Sequence, residues 1–338
     1  MVYKSTKKIK IKPKNATRKV RTRQIYKENY NINQKIKLAN RIRDISEDEL
    51  LIDYNKLVEE GNKMNNVDKY ERSDFSRIGN KAVDYFTFSE RLNTKGPKKL
   101  SFYELWNNKP EFQRKPFVQK LIHHTYTTTG SLKSEIQQYY KMFNLYYGSI
   151  YIFKPTTALD IYHRFRPKCV LDMTMGWGGR LMGACALNVP RYIGIDNNLN
   201  LKEPYNKMRK FLKGKTQTKM NLIFKDALTI DYKSLKHKYH YDMVFTSPPY
   251  FNIEQYGNSQ TNPKYINKED WYNNFYSPLI QNTFEHLAIG GHYCLNVQVE
   301  IYENVCVKHL GKADIKIPLN LVERGNNEYK EFIYVWIK

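Results

Sequence analysis

Ser247-Pro248-Pro249-Tyr250 follows directly on an apolar run, Met243-Val244-Phe245. Proline fixes its own φ and has no N–H, so it cannot continue a central strand. Seen alone, the pair reads as the turn that ends a strand. The four residues together are also suited to chemistry: a small hydroxyl, a stiff backbone carbonyl and a ring that can stack, on a corner that needs little reordering. Three carboxylates stand in comparable places. Asp172 closes "CVLD", Asp196 closes "RYIGID" and Asp226 follows "NLIFK". After the first of them, "MTMGWGGR" sets Gly176, Gly178 and Gly179 in a turn where the lack of a Cβ lets backbone approach a ligand. Asp196 comes 24 residues after Asp172, about the spacing at which a nucleotide-binding unit presents a carboxylate to two ribose hydroxyls. Asp226-Ala227 is placed to accept from an adenine amino group.

These residues need a scaffold that brings strand ends to one edge. Short β-branched or apolar runs at 169–173, 191–196, 221–227, 241–247 and 290–297 alternate with helical patterns at 179–187, 204–212 and 271–286. Strand and helix in alternation predict βαβ units and a parallel sheet. "IPLNLVER", the turn "GNNE" and "FIYVWIK" then read as a hairpin that closes the sheet antiparallel. An open sheet of this kind binds ligands at the carboxyl ends of its strands, where the strand order reverses. Upstream, 46–63, 117–124 and 131–147 have helical spacing, whereas 65–115 is irregular and rich in aromatic and basic residues. The expected division is a basic flexible arm (1–45), a mainly helical accessory region with DNA contacts (46–147) and a catalytic domain (148–338). The glycine turn departs from the dinucleotide fingerprint and favours an adenosine that carries a short amino-acid tail.

"VLDMTMGWGG", "YIGID", "FKDAL" and "FTSPPY" together resemble the S-adenosylmethionine-dependent DNA methyltransferases that modify exocyclic amines, N4 of cytosine or N6 of adenine. The resemblance spans about residues 151–338, and the S/D/N-P-P-Y/F tetrapeptide is its most specific element. Met173-Thr174 stands where family members often have Pro-Phe, and Gly179 where Thr is common. The resemblance implies a class I, Rossmann-like fold: a seven-stranded, mostly parallel sheet with a terminal antiparallel strand. It implies S-adenosylmethionine as cofactor, with Asp172, Thr174, Gly176 and Gly178 around the methionine, Asp196 and Asn197 at the ribose, and Asp226 and Ala227 at the adenine. Phe153 and Pro155, in "YIFKPTTALDIY", belong to the segment that wraps the methionine end. Ser247, Pro248, Pro249 and Tyr250 become the catalytic set. A hydroxyl and a rigid carbonyl draw on the two N–H bonds of a flipped-out amine while the ring stacks on its base. Serine in the tetrapeptide leans towards cytosine. Trp177 is read equally as a pocket residue or as packing, and Arg180 as a helix-surface ion pair before a ligand for the cofactor carboxylate.

Charge points the same way. The chain of 338 residues carries +23, and 4–43 alone hold fifteen Lys and Arg against the single acid Glu28. Such a segment has too little to bury and is expected to be a mobile arm that tracks phosphates. About ninety residues follow Tyr250 and the last strands use them, so DNA contacts are expected from 1–150 or short loops such as 252–270. No run is long and apolar enough to span a membrane, and the first residues are charged, unlike a signal peptide. Cys169, Cys185, Cys294 and Cys306 show no CxxC pairing and read as buried thiols of an intracellular, reducing compartment, with no metal site expected. Two other readings stay open: the same chemistry on RNA or a protein glutamine, and a nucleic-acid-binding module that has lost turnover.

Overall fold

In the computed structural model, residues 26–65, 76–128, 134–251, 254–256, 265–319 and 331–338 are described. Seven strands form one sheet: β1 (Cys169–Asp172), β2 (Arg191–Asp196), β3 (Lys219–Phe224), β4 (Met243–Thr246), β5 (His292–Val297), β6 (Ile315–Leu319) and β7 (Glu331–Ile337). Their order is β3-β2-β1-β4-β5-β7-β6. The first five are parallel, and β7 runs antiparallel between β5 and β6. This is the expected Rossmann-like arrangement, a mostly parallel seven-stranded sheet that ends in an antiparallel pair of strands. The hairpin's turn lies outside the described residues.

The central strands are buried on both faces, which is why they read as continuous apolar runs. Side chains alternate between two cores. Val170, Met243, Phe245 and Cys294 face one, and Leu171, Val244, Tyr293 and Leu295 face the other. The first core is covered by α2 (Glu47–Asn65), α3 (Asn80–Asn93), α8 (Pro155–Phe165), α9 (Gly179–Ala186) and α10 (Lys202–Leu212). The second is covered by α11 (Tyr232–Tyr239) and by two helices with a π turn in the middle. These are α12 (Lys268–Trp271) to α13 (Ser277–Glu285), and α14 (Val299–Ile301) to α15 (Val307–Leu310). All four cysteines are buried and free. Among the described residues no helix is long and apolar enough to cross a membrane.

The remaining helices are α1 (Ile32–Ile42), α4 (Phe102–Asn107), α5 (Lys109–Gln113), α6 (Pro116–Thr128) and α7 (Glu135–Tyr146). With α3 they enclose a third core rich in aromatic rings. Two expectations change here. Residues 32–42, counted into the arm, form a helix that starts at an Asn31–Gln34 capping box and buries Leu38, Ala39 and Ile42. Arg43 then pairs with Asp84 of α3, and its guanidinium lies 4.7 Å from the centre of the Phe88 ring. Residues 1–25 of the arm lie outside the described residues. The stretch 65–115, read as irregular, contains α3, α4 and α5. The α3 stripe was hidden because Asp84 and Arg91, an ion pair, sit buried among its apolar residues.

Candidate active site

β1 and β4 are neighbours at the point where the strand order reverses, so their carboxyl ends open the crevice of this sheet. A cavity of about 1090 Å³ lies there. Eleven of the fourteen residues assigned to catalysis or cofactor binding line it: Phe153, Thr174, Gly176, Asp196, Asn197, Asp226, Ala227, Ser247, Pro248, Pro249 and Tyr250. Asp172, Gly178 and Pro155 do not. Pro155 is buried at the first turn of α8, where its fixed φ and missing N–H suit a helix start. Gly178 caps the start of α9 at φ 98°, and a Cβ there would meet Met208 at 2.6 Å.

Asp172 lies beneath the cavity floor, fully buried. Its carboxylate accepts from Arg180 Nε at 2.7 Å and Nη2 at 3.1 Å, from the Tyr192 hydroxyl at 2.5 Å and from Thr246 Oγ1 at 2.8 Å. Because a carboxylate only accepts, Thr246 is the donor in that contact. The 2.6 Å contact between the Thr174 and Thr246 hydroxyls therefore has Thr174 as its donor. One carboxylate thus ties β1 to β2, β4 and α9. Arg180, expected in a surface pair, is buried here and also lines the cavity. Burial opposes its charge, yet the carboxylate of Asp172 outweighs this and holds the guanidinium above the ordinary arginine value. Gly179 also has a physical reason. A Cβ on Gly179 would stand 1.8 Å from the Phe153 carbonyl oxygen, so α9 can lie against the 150–154 segment only without one.

Asp196, at the end of β2, accepts from Gly176 N and Asn198 N, both at 2.8 Å. Burial nevertheless pushes its pKa up to about 6, the two backbone N–H groups and Arg180 opposing the rise. Gly176, at φ 57°, turns the backbone so that its N–H meets this carboxylate. Glu90 of α3 accepts from the Asn198 and Asn200 side-chain amides at 3.2 and 3.0 Å, which braces the loop after β2. β3 ends at Phe224 rather than at Asp226. Asp226 instead caps a short turn by accepting from Leu228 N at 3.0 Å.

The tetrapeptide forms the wall across from Asp196. Asn296, near the end of β5, donates through Nδ2 to the Phe332 carbonyl at 3.3 Å, which turns Oδ1 toward Ser247. Ser247 Oγ donates to that Oδ1 at 3.1 Å. Its proton is therefore committed to Asn296, which leaves the oxygen of this cavity-lining residue as an acceptor. The Pro249 carbonyl accepts from the Tyr276 hydroxyl at 2.8 Å, a contact supplied by the π turn Tyr272–Tyr276. Neither Asn296 nor Tyr276 was found from the sequence. The one signal was a polar Asn inside the buried strand "HYCLNV", at the sheet edge that carries the other site residues.

The helical region closes the top. Lys95 and Gln255 exchange backbone hydrogen bonds at 3.0 and 2.8 Å, holding the segment that follows the tetrapeptide. Glu254 and Tyr256 in that segment hydrogen-bond to each other, and burial raises the Glu254 pKa. Trp177 lines the cavity and packs into the first core, and its carbonyl accepts from Thr87 of α3 at 3.1 Å. Of the loop 252–270, residues 252–253 and 257–264 lie outside the described residues.

No family model matches the chain, and no curated protein matches it. Among solved structures it is similar to TrmN from Thermus thermophilus, at 15% identity over 54% of this chain and 48% of that one, TM-score 0.34. An rRNA methylase from Streptococcus thermophilus is 12% identical over 56% of this chain and 100% of its own, TM-score 0.35. Precorrin-6y C5,15-methyltransferase from Geobacter metallireducens GS-15 is 14% identical over 54% and 86%, TM-score 0.36. The chain spans about half the length of the first of these.

Proposed function

We propose that this chain is an S-adenosylmethionine-dependent methyltransferase that acts on an exocyclic amine of a DNA base, cytosine N4 ahead of adenine N6. The observation that carries the reading is the hydrogen bond of Ser247: this cavity-lining hydroxyl gives its proton to Asn296, so its oxygen is left as an acceptor.

The residues at the other side of the cavity fit the cofactor. Asp196 is a half-buried carboxylate at the cavity surface, with two backbone donors and a raised pKa, a group that gains from the two further donors of a ribose diol. Ala227 and Asp226 line the same cavity and are assigned to the adenine, and Phe153, Thr174 and Gly176 to the amino-acid tail. Bound there, the cofactor supplies an electrophilic methyl group on a sulfonium centre.

The chain's own contribution is electrostatic and positional. An exocyclic amine is a poor nucleophile because its lone pair is delocalised into the ring. Ser247 Oγ and the Pro248 carbonyl accept its two N–H bonds and localise that pair on nitrogen. Pro248 and Pro249 make the acceptor stiff, and the Tyr276 bond to Pro249 holds the corner from behind. Removing one preorganised oxyanion-hole donor costs about 10²–10³ in rate, and a loss of that order is expected for Ser247. Tyr250, which lines the cavity, supplies a ring for the base. Stacking returns roughly 1–3 kcal/mol against the few kcal/mol that unstacking the base requires. The +23 charge supports a polyanionic substrate over a protein glutamine.

The test is chemical. DNA and, in parallel, RNA are incubated with the chain and methyl-labelled cofactor, digested to nucleosides and analysed by mass spectrometry. N4-methylcytosine or N6-methyladenine from DNA is expected. Label on amino groups of RNA alone would move the substrate. Label on a ring carbon, or none with cofactor bound, would remove the reading.

A further inference from the structure

At about 1090 Å³ the cavity reaches beyond the roughly 300–1,000 Å³ of a single small-molecule site. Its lining also includes Pro97, Lys98, residues 144–149 at and after the end of α7, and Tyr151. None of these is used by the cofactor residues or by the tetrapeptide. Tyr151 is 73% exposed and lines the cavity, whereas ten of the twelve largest fully buried side chains among the described residues are tyrosines. Lys98 is held in place by aromatic rings: its Nζ lies 3.1 Å from the centre of the Tyr146 ring, which in turn packs at 4.7 Å against Phe117. An open ring and a fixed cation in one cavity lining match the two repeating parts of a nucleotide strand, a base with a π face and a phosphate.

We infer that Tyr151 and Lys98 hold the nucleotide next to the reacting base. Tyr151 stacks on the neighbouring base, unpaired from its partner strand, and Lys98 receives its phosphate. This rests on the nucleic-acid reading of the Ser247 site and adds to it a second binding subsite for a single-stranded flank.

Fluorescence anisotropy with two probes of equal phosphate count tests the inference. One is a mixed-sequence single-stranded DNA dodecamer, the other the same backbone with every base removed. Tyr151→Ala should weaken binding of the first about five- to a hundredfold and leave the second unchanged. Tyr151→Trp should restore it. Lys98→Gln should weaken both and lower the salt slope by about 0.7. Equal effects of Tyr151→Ala on the two probes, or none, overturn the stacking role; an unchanged slope in Lys98→Gln overturns the phosphate role. Calorimetry with the cofactor separates the two levels. If the wild-type chain binds cofactor but no strand, the substrate reading falls along with the subsite. If it methylates bases while Tyr151→Ala binds like wild type, only the subsite falls.

Discussion

Cofactor affinity should fall as the pH drops through about 6, and Asp196 is the reason. Its carboxylate accepts from Gly176 N and Asn198 N and is the acceptor proposed for the ribose diol, a task for the ionised form. Burial has raised its pKa from 3.8 to about 6. At pH 8 nearly every molecule is ionised, and at pH 5 about one in ten, so affinity should drop about tenfold between them. For the fold without cofactor the sign is reversed. A carboxyl with a raised folded pKa stabilises the fold most below about pH 4, and that contribution is lost as the pH rises through 6. The difference, about two pKa units, amounts to about 3 kcal/mol at neutral pH. The site thus holds a charge at a cost that cofactor binding can offset. Calorimetric titration with the cofactor from pH 5 to 8, on the wild-type chain and on Asp196→Asn, measures this directly. The variant should bind about ten- to a hundredfold more weakly at pH 8 and show little pH dependence. A flat wild-type profile, or one that runs parallel to that of the variant, would refute the reasoning.

Three further outcomes are expected. Asp172→Asn leaves the buried Arg180 guanidinium short of its counter-charge and should cost about 3–5 kcal/mol in urea unfolding; a loss under 1 kcal/mol would mean that water reaches Arg180. Gly179→Ala must displace the Phe153 carbonyl, and should lower stability by about 1–3 kcal/mol in thermal melts together with cofactor affinity; wild-type values for both would show the 150–154 segment to be free to shift. Removing residues 1–25, which hold ten Lys and Arg, should flatten the salt dependence of DNA affinity while leaving the Arg43–Asp84 pair in place. An unchanged slope would take the arm out of DNA binding.

How far the sequence could be read depended on what kind of residue carried each feature. β1, β2 and β4 were readable because strands buried on both faces leave unbroken apolar runs, and the carboxylate or hydroxyl that ends each run marks the same sheet edge. α1 was not, because Leu38, Ala39 and Ile42 are spread among lysines and arginines that dominate the local charge. α3 was missed because its buried face includes Asp84 and Arg91, which look like solvent residues until their pairing is known. The site shows the same limit. Asp196 and the tetrapeptide line the cavity, whereas Asp172 turns inward to a partner eight residues away on α9. A strand end fixes where a side chain starts, and the competing donors around it decide which way it points. Asn296 and Tyr276 act through contacts 49 and 27 residues away in sequence, so no local motif could have announced them.

The central claim is that Ser247 offers its oxygen, not its proton, to the reacting amine. Single-turnover methyl transfer by Ser247→Ala, with cofactor binding measured on the same sample, tests it most directly. The account predicts a rate about 10²–10³ lower with cofactor affinity within twofold of wild type. Transfer at the wild-type rate, or loss of cofactor binding along with transfer, would contradict it.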